Sequence, residues 1–191
     1  PELTPQETAD LAIELVKVKR FTEAIELFNA ALDESPTLIG ARYNRACALM
    51  LSGKVDAARS ELEDLAAQEN PHVEPMLNYS ALLLSQKCNE EAVEVLERAV
   101  GLFPRHAATW HNYGTALKRT RGRAAALRAF RRALALDPRD VSTAVEVAKC
   151  LIAKGDLEHA AAELQVALGH STQDGKAREL LSRLLIQLGR P

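Results

Sequence analysis

The chain has 191 residues and a formal net charge of −2, and alanine and leucine supply most of its apolar side chains. A net charge close to zero argues against general affinity for nucleic acid or for an anionic membrane surface. No apolar run is long enough to span a bilayer and no signal-peptide pattern is present, so we expect a cytoplasmic protein without membrane insertion. Pro1 in place of an initiator methionine leaves open whether the chain is a piece of a longer protein.

A period of 34 residues is the strongest pattern in the chain, and it needs no insertion or deletion. Counted from Pro5, the eighth position of successive blocks is small, as are the twentieth and most of the twenty-seventh. The eighth-position residues are Ala12, Ala46, Ser80, Gly114 and Ala148, and the twentieth-position residues are Ala24, Ala58, Ala92, Ala126 and Ala160. Recurring small residues mark places where two helices approach closely, and a fixed period of this length is typical of stacked repeats.

Taken in chain order, each block reads as helix, short turn, helix. Thr4-Pro5-Gln6-Glu7 has the form of a capping box with proline at the first helical position, so it predicts the start of the first helix. Glycines at Gly53, Gly122 and Gly155 predict the turn inside three blocks. The predicted helices are 5–18, 22–34, 39–52, 56–69, 73–86, 90–102, 107–120, 124–136, 141–154, 158–169 and 175–188.

The fourth block resembles the tetratricopeptide repeat family through Trp110, Tyr113-Gly114, Leu117, Ala126, Phe130, Ala133 and Asp137-Pro138. The resemblance implies an all-α fold, a right-handed α-solenoid of five helix-turn-helix repeats plus a C-terminal helix, forming one structural domain. The repeats would be 5–38, 39–72, 73–106, 107–140 and 141–174, followed by 175–189 as a cap or as the start of a sixth repeat. Large apolar residues such as Leu11, Phe28 and Phe130, together with Trp110, are expected in the core.

No catalytic pattern is found, since the chain lacks a phosphate-binding glycine loop, an HExxH motif and a nucleophile elbow. We therefore expect no enzymatic activity, no cofactor and no metal site. Cys47, Cys88 and Cys150 lack the spacing of metal ligands or of a redox pair, which predicts three free thiols, with Cys150 facing the core.

The first helix of each block has a second face, which lines the concave groove in the tetratricopeptide fold. Asn44, Asn78 and Asn112 recur on it at the repeat spacing. An amide both donates and accepts hydrogen bonds, so the three resemble asparagine ladders that hold extended peptides in other proteins of this family. The other residues predicted to contact a peptide are Tyr43, Leu77, Leu84, His111, Lys118, Arg119 and Lys149. The function predicted from these residues is a scaffold that binds an extended or helical segment of a partner protein.

Charge is distributed unevenly along the chain. Residues 1–38 carry a net charge of −5 and residues 107–140 carry +6. The basic block lacks interleaved stacking aromatics, so we expect it to contact an acidic protein segment rather than nucleic acid. Two alternatives remain open at this point: a self-assembling module that forms homo-oligomers through its oppositely charged blocks, and a regulatory segment of a larger enzyme.

Overall fold

The structure is a computed structural model that describes residues 3–170 and 174–190, and in these residues it contains eleven α-helices and no strand. The helices are α1 Pro5–Lys17, α2 Phe21–Glu34, α3 Ile39–Leu51, α4 Val55–Ala67, α5 Val73–Ser85, α6 Asn89–Leu102, α7 Ala107–Thr120, α8 Gly122–Leu136, α9 Val141–Ala153, α10 Leu157–His170 and α11 Gly175–Gln187. Every predicted helix is confirmed, with its ends within two residues of the predicted ones. None of these helices combines the length and apolar character needed to cross a bilayer.

Side chains fix several of the helix starts. At α1 the Glu7 amide donates to the Thr4 hydroxyl oxygen (3.3 Å), and the Thr4 amide donates to the Glu7 carboxylate (2.8 Å), which confirms the predicted capping box. Asp140 caps α9 by accepting from the Thr143 amide, and Asp174 caps α11 by accepting from the Ala177 amide. These bonds satisfy backbone donors that a helix start otherwise leaves free.

The turn inside each helix pair places one residue in the left-handed region of backbone space. Gly53, Gly122 and Gly155 lie in these turns, as the sequence predicted, and adopt φ values of 81° to 82°. Lys19 and Lys87 occupy the corresponding turns in the first and third blocks, with φ values of 63° and 64°. A side chain in this conformation costs about 1–2 kcal/mol relative to glycine. The repeat therefore imposes the turn even where the sequence supplies no glycine.

The chain forms two compact units, Pro1–Leu82 and Leu83–Pro191, with the boundary inside α5. In the first unit α1, α2, α3 and α4 pack on one another in chain order, and α1 also contacts α3. In the second unit the same succession runs from α6 to α11, and α9 also contacts α11. Packing of each helix on its chain neighbours is what stacked helical repeats produce.

The core of the first unit forms where the small repeat positions meet large apolar ones. Ala12, Ala24, Ala46 and Ala58 are fully buried, and Phe28, 0% exposed, lies in one cluster with Ala12, Ala24 and Ala58. The prediction that Leu11 belongs to this core is wrong, because its side chain is 46% exposed. The side of α1 that carries Leu11 faces solvent.

In the second unit, α7 and α8 make an especially close approach at Gly114. A Cβ atom at this position would lie 2.7 Å from the Phe130 ring, which is itself fully buried. The absence of a side chain at the eighth position of this block therefore allows the large ring to fill the space between the helices.

Replacing Gly114 by alanine is expected to destabilise the protein by about 1–2 kcal/mol, because the cost of overpacking against Phe130 exceeds the gain in helix propensity. Gly101 in α6 is the matched control: nothing lies within 4 Å of its Cβ position. Gly101→Ala should stabilise the protein by up to about 1 kcal/mol. Urea denaturation of both variants would test the argument, and equal effects of the same sign would contradict it.

Candidate functional site

In the first unit, a polar cluster lies where α3 meets α5. The Asn78 amide nitrogen donates to the Tyr43 hydroxyl at 3.0 Å and contacts the Cys47 sulfur at 3.5 Å. All three side chains are partly exposed, as are Asn44 and Leu77. We call these five residues the α3/α5 face. Of the four residues that the sequence placed there, the structure joins Asn78 to Tyr43 by a hydrogen bond, and Cys47 is the second partner of the Asn78 amide.

Asn44 differs from Asn78 in its hydrogen bonding. Its amide makes no side-chain hydrogen bond to any residue within 3–170 or 174–190, although the residue is partly exposed. Asn78 has both amide hydrogens directed at Tyr43 and Cys47, which leaves its carbonyl oxygen as the group to offer a ligand. The two asparagines thus present different hydrogen-bonding groups: a complete amide at Asn44 and an acceptor at Asn78.

The titratable groups of the α3/α5 face stay protonated at neutral pH. Burial, with smaller contributions from Cys47 and Glu74, raises the pKa of Tyr43 to about 12. Burial also raises the pKa of the Cys47 thiol, against the opposing effect of its hydrogen bonds to Tyr43 and Asn78. Because a thiol must ionise to act as a nucleophile or a strong metal ligand, this cluster is equipped for hydrogen bonding rather than for covalent chemistry.

A small cavity of about 180 Å³ opens beside Tyr43. It is lined by Ile39, Gly40, Tyr43, His72, Glu74 and Pro75. This volume is suited to one apolar side chain, with the exposed Glu74 carboxylate at its margin. The sequence indicated Tyr43 but not the cavity, because its walls come from the ends of two helices and the turn before α5.

In the second unit, His111 on α7 reaches the start of α9. Its Nδ1 lies 2.6 Å from the Thr143 hydroxyl, which is also hydrogen-bonded to the Asp140 carboxylate. The carboxylate can only accept, so the single hydroxyl proton goes to Asp140 and the Thr143 oxygen accepts from His111 Nδ1–H. Burial lowers the pKa of His111 and Lys118 adds to this effect, while Asp140 and Glu146 oppose it. His111 is therefore a neutral, oriented imidazole with Nε2 as an acceptor.

Lys118 and Lys149 share one carboxylate, Glu146 of α9. Lys118 pairs with one Glu146 oxygen, and Lys149 Nζ lies 2.9 Å from the other. Burial alone would raise the pKa of Glu146, but the hydrogen bonds and charges of the two lysines outweigh it and hold that pKa below its usual range. Lys118, Lys149 and Glu146 together carry a net charge of about +1, whereas the two lysines alone would carry about +2.

The remaining predicted residues on α7, Asn112 and Arg119, differ in their hydrogen bonding. Asn112 is partly exposed and, in the described part of the chain, its side chain makes no hydrogen bond, so it resembles Asn44. Arg119 is exposed, and its Nη1 donates to the Leu84 carbonyl oxygen at 2.7 Å. We call His111, Asn112, Lys118, Glu146 and Lys149 the α7/α9 face.

The prediction that the Leu84 side chain lines a binding face is wrong, because the residue is only 8% exposed. Leu82, Leu83 and Leu84 are all buried. Three consecutive buried residues cannot be produced by a helix with one packed face and one open face, since they project about 100° apart. The end of α5 is thus buried around most of its circumference, which the repeat pattern did not show.

A buried charge network at Glu61 was also missed from the sequence. Glu61 on α4 is 7% exposed and accepts from Arg45 Nε (2.9 Å) and Nη2 (2.7 Å), and Arg42 Nε lies at 3.3 Å. A two-pronged arginine contact of this kind neutralises a carboxylate that would otherwise be costly to bury. Charged residues at these spacings carry no sequence signal of burial.

Trp110 is partly exposed rather than fully in the core, which corrects the expectation. Cys150 is buried as predicted, Cys47 and Cys88 are partly buried, and none of the three cysteines forms a disulfide, as the sequence predicted. Among the described residues no group of three or more histidine, cysteine, aspartate or glutamate side chains is arranged to hold a metal ion.

His111 gives a prediction for pH dependence. Its folded pKa lies below the ordinary value, so the unfolded chain binds the proton first as the pH falls, and stability is lost below about pH 6.5 until the folded pKa is reached. We expect His111→Gln to lose less unfolding free energy than the unaltered protein between about pH 7.5 and 5.5, measured by urea denaturation. His72→Gln, at an exposed position, is the control. Identical pH dependence in all three proteins would contradict the argument.

The tetratricopeptide repeat family model matches residues 15–78 and 123–184, which is more than half of the chain. The structure is similar to pilF of Pseudomonas aeruginosa, with a TM-score of 0.82 and 21% identity over 97% of this chain and 84% of that one. TTC0263, a thermophilic tetratricopeptide repeat protein of Thermus thermophilus, gives a TM-score of 0.68 and 23% identity over 96% and 100% of the two chains.

YrrB, described as a tetratricopeptide repeat protein with an unusual peptide-binding site, gives a TM-score of 0.71 and 17% identity over 91% of this chain and 89% of that one. No curated protein matches the chain in sequence. At identities this low the structural likeness shows the fold, an α-solenoid of helical repeats.

Proposed function

Because the chain belongs to the tetratricopeptide repeat family, we propose that it binds a peptide segment of a partner protein on the α3/α5 face and on the α7/α9 face. The family's fold supports protein–protein interaction in general, and its members are in general non-enzymatic scaffolds. The finer proposal concerns which side chains hold the peptide, and it treats each unit's face separately.

The free amides of Asn44 and Asn112 are the observation that carries the proposal. Each is partly exposed and, in the part of the chain that the structure describes, neither side chain is hydrogen-bonded. A surface amide that no protein group engages can pair with the N–H and C=O of an extended peptide whatever the peptide's sequence. The peptide-binding site described for YrrB supports a ligand of this class for the fold.

Specificity in the first unit would come from the cavity beside Tyr43. An apolar side chain of the peptide fits its 180 Å³, and Glu74 at the margin favours a lysine or arginine next to it. Asn78 is held in place by Tyr43 and Cys47, so its carbonyl oxygen can accept a peptide N–H without a further loss of side-chain freedom.

In the second unit the α7/α9 face favours a different peptide residue. The surplus positive charge of Lys118 and Lys149 around Glu146, with Arg119 exposed nearby on α7, suits an acidic side chain. His111 would accept a hydrogen bond through Nε2. A peptide on this face would therefore carry aspartate or glutamate, whereas a peptide on the α3/α5 face would carry an apolar residue beside a basic one.

A random peptide library displayed on phage and selected on the purified chain tests the proposal. We expect enrichment of peptides whose binding is weakened about fivefold by Asn44→Ala or by Asn112→Ala, at about 1 kcal/mol for one lost hydrogen bond. Their binding should be unchanged by Gln165→Ala, which removes an exposed amide on α10. Selected peptides that bind all three variants equally would contradict it.

Self-assembly is the second candidate, and the uneven charge of the chain favours it: −5 in residues 1–38 and +6 in residues 107–140. Oppositely charged blocks attract one another at low ionic strength and are screened at high salt. Size-exclusion chromatography at low and high salt distinguishes the two functions. An oligomer that dissociates in salt supports self-assembly, and a monomer under both conditions excludes it.

A further inference from the structure

On another side of α7, away from the α7/α9 face, a cleft of about 460 Å³ runs between α7 and α8. We call it the α7/α8 cleft, and its lining is Trp110, Tyr113, Leu117, Ala125, Arg128, Ala129 and Arg132. The volume lies in the range of sites that hold several side chains of a ligand. None of the residues in the cleft belongs to the faces described above.

One wall of the cleft is aromatic and held in a fixed orientation. The Trp110 and Tyr113 rings pack edge to face, with centroids 6.3 Å apart, and the Trp110 indole N–H donates to the Pro104 carbonyl oxygen at 2.9 Å. Both rings remain partly exposed. Rigid aromatic side chains provide a large contact area at a small entropic cost, which is why they anchor many protein interfaces.

The opposite wall carries two arginines one helical turn apart. Arg128 and Arg132 are exposed, and neither has a hydrogen bond or ion pair within the described residues. α8 contains no acidic residue, so nothing on the same helix neutralises them. The acidic group near Tyr113 is Glu97, and the positive charge of Arg121 acts against its effect on the pKa of Tyr113. The arginine wall thus retains its positive charge.

We propose that the α7/α8 cleft docks an acidic segment of a partner protein that carries a central apolar anchor residue. The anchor packs on Trp110 and Tyr113, and flanking carboxylates pair with Arg128 and Arg132. Charge complementarity selects this occupant: a guanidinium binds a carboxylate through two parallel hydrogen bonds, and the aromatic wall needs an apolar group to cover it. The surface is separate from the proposed peptide-binding faces and does not depend on them.

Trp110 is the single tryptophan of the chain, so its fluorescence reports directly on the cleft. The probe is a synthetic peptide with a central Phe-Leu pair flanked on both sides by aspartate and glutamate. We expect a saturable change in Trp110 emission on titration, with an affinity that falls as salt is added. The same peptide with asparagine and glutamine in place of its acids should give no saturable change.

The variants separate the cleft from general electrostatic attraction. Arg128→Glu combined with Arg132→Glu should weaken peptide binding at least tenfold. Arg123→Glu combined with Arg139→Glu makes the same change in net charge at exposed residues outside the cleft, and should weaken binding by no more than about threefold. Circular dichroism should show unchanged helix content in both.

Three results would overturn the proposal. The first is an emission that stays constant throughout the peptide titration. The second is an equal loss of binding in the two double variants, which would indicate diffuse attraction. The third is a larger emission change with random oligonucleotides, with phosphatidylserine vesicles or with rising protein concentration alone, which would assign the cleft to nucleic acid, a membrane surface or a second copy of the chain.

Discussion

Replacing Phe28 by alanine is expected to lower the free energy of unfolding by about 3–5 kcal/mol, the range found when a fully buried aromatic ring is removed. Phe28 is 0% exposed and lies among the small repeat residues Ala12, Ala24 and Ala31, all buried. Their side chains are too short to move into the space, so the cavity persists. The measurement is urea denaturation followed by circular dichroism.

Leu11→Ala is the control for this prediction, because Leu11 lies in the same unit but is 46% exposed. Its truncation should cost less than about 1 kcal/mol, as is usual for surface positions. The sequence pattern would have assigned both residues to the core. Comparable losses in the two variants would mean that the burial described for α1 and α2 is wrong.

The second large effect concerns ligand affinity. Changing Asn44, Asn78 and Asn112 together to alanine removes the proposed asparagine contacts from both faces. A phage-selected peptide on the α3/α5 face should then bind about thirtyfold more weakly and one on the α7/α9 face about fivefold more weakly, since each lost hydrogen bond is worth on the order of 1 kcal/mol. Gln165→Ala should leave the affinity unchanged. Isothermal titration calorimetry with the selected peptide measures both, and an unaltered affinity in the triple variant would remove the asparagines from the proposed site.

The stability of the triple variant provides a separate test. Asn44 and Asn112 have no side-chain hydrogen bond in the described residues, so their loss should not affect folding. Asn78 donates to Tyr43 and Cys47, so its removal should cost about 1 kcal/mol. A loss as large as that of Phe28→Ala would show that the asparagines are structural.

Much of the fold could be predicted from the sequence because the residues that determine helix packing and turns recur at fixed positions of the repeat. A small residue at the eighth and twentieth positions marks a close helix contact wherever it recurs, and glycine marks a left-handed turn. The prediction failed where the determining neighbour lies outside the local pattern. Leu11 and Leu84 hold regular positions in the repeat, but the side chain of Leu11 is exposed to solvent and that of Leu84 is buried.

The candidate site was predicted less completely, because position on a helix face does not specify hydrogen-bond partners. The sequence placed Asn44, Asn78 and Asn112 alike, yet Asn78 is engaged by Tyr43 and Cys47. Lys118 and Lys149 were expected to attract an acidic ligand, and the structure shows that they already share Glu146. Lys149 is three residues from Glu146 on α9, but the partners of Asn78 and Lys118 lie on another helix about one repeat away, and only the packed structure pairs them.

The side-chain amide signals of Asn44 and Asn112 test the central claim most directly. In a two-dimensional nitrogen–proton NMR spectrum, assigned with the single alanine variants, titration with a phage-selected peptide should shift the signals of at least one of these amides in parallel with saturation. The Gln165 signals should stay in place. If the peptide saturates the protein while the amides of Asn44 and Asn112 remain unshifted, the peptide binds elsewhere and the account of these faces is wrong.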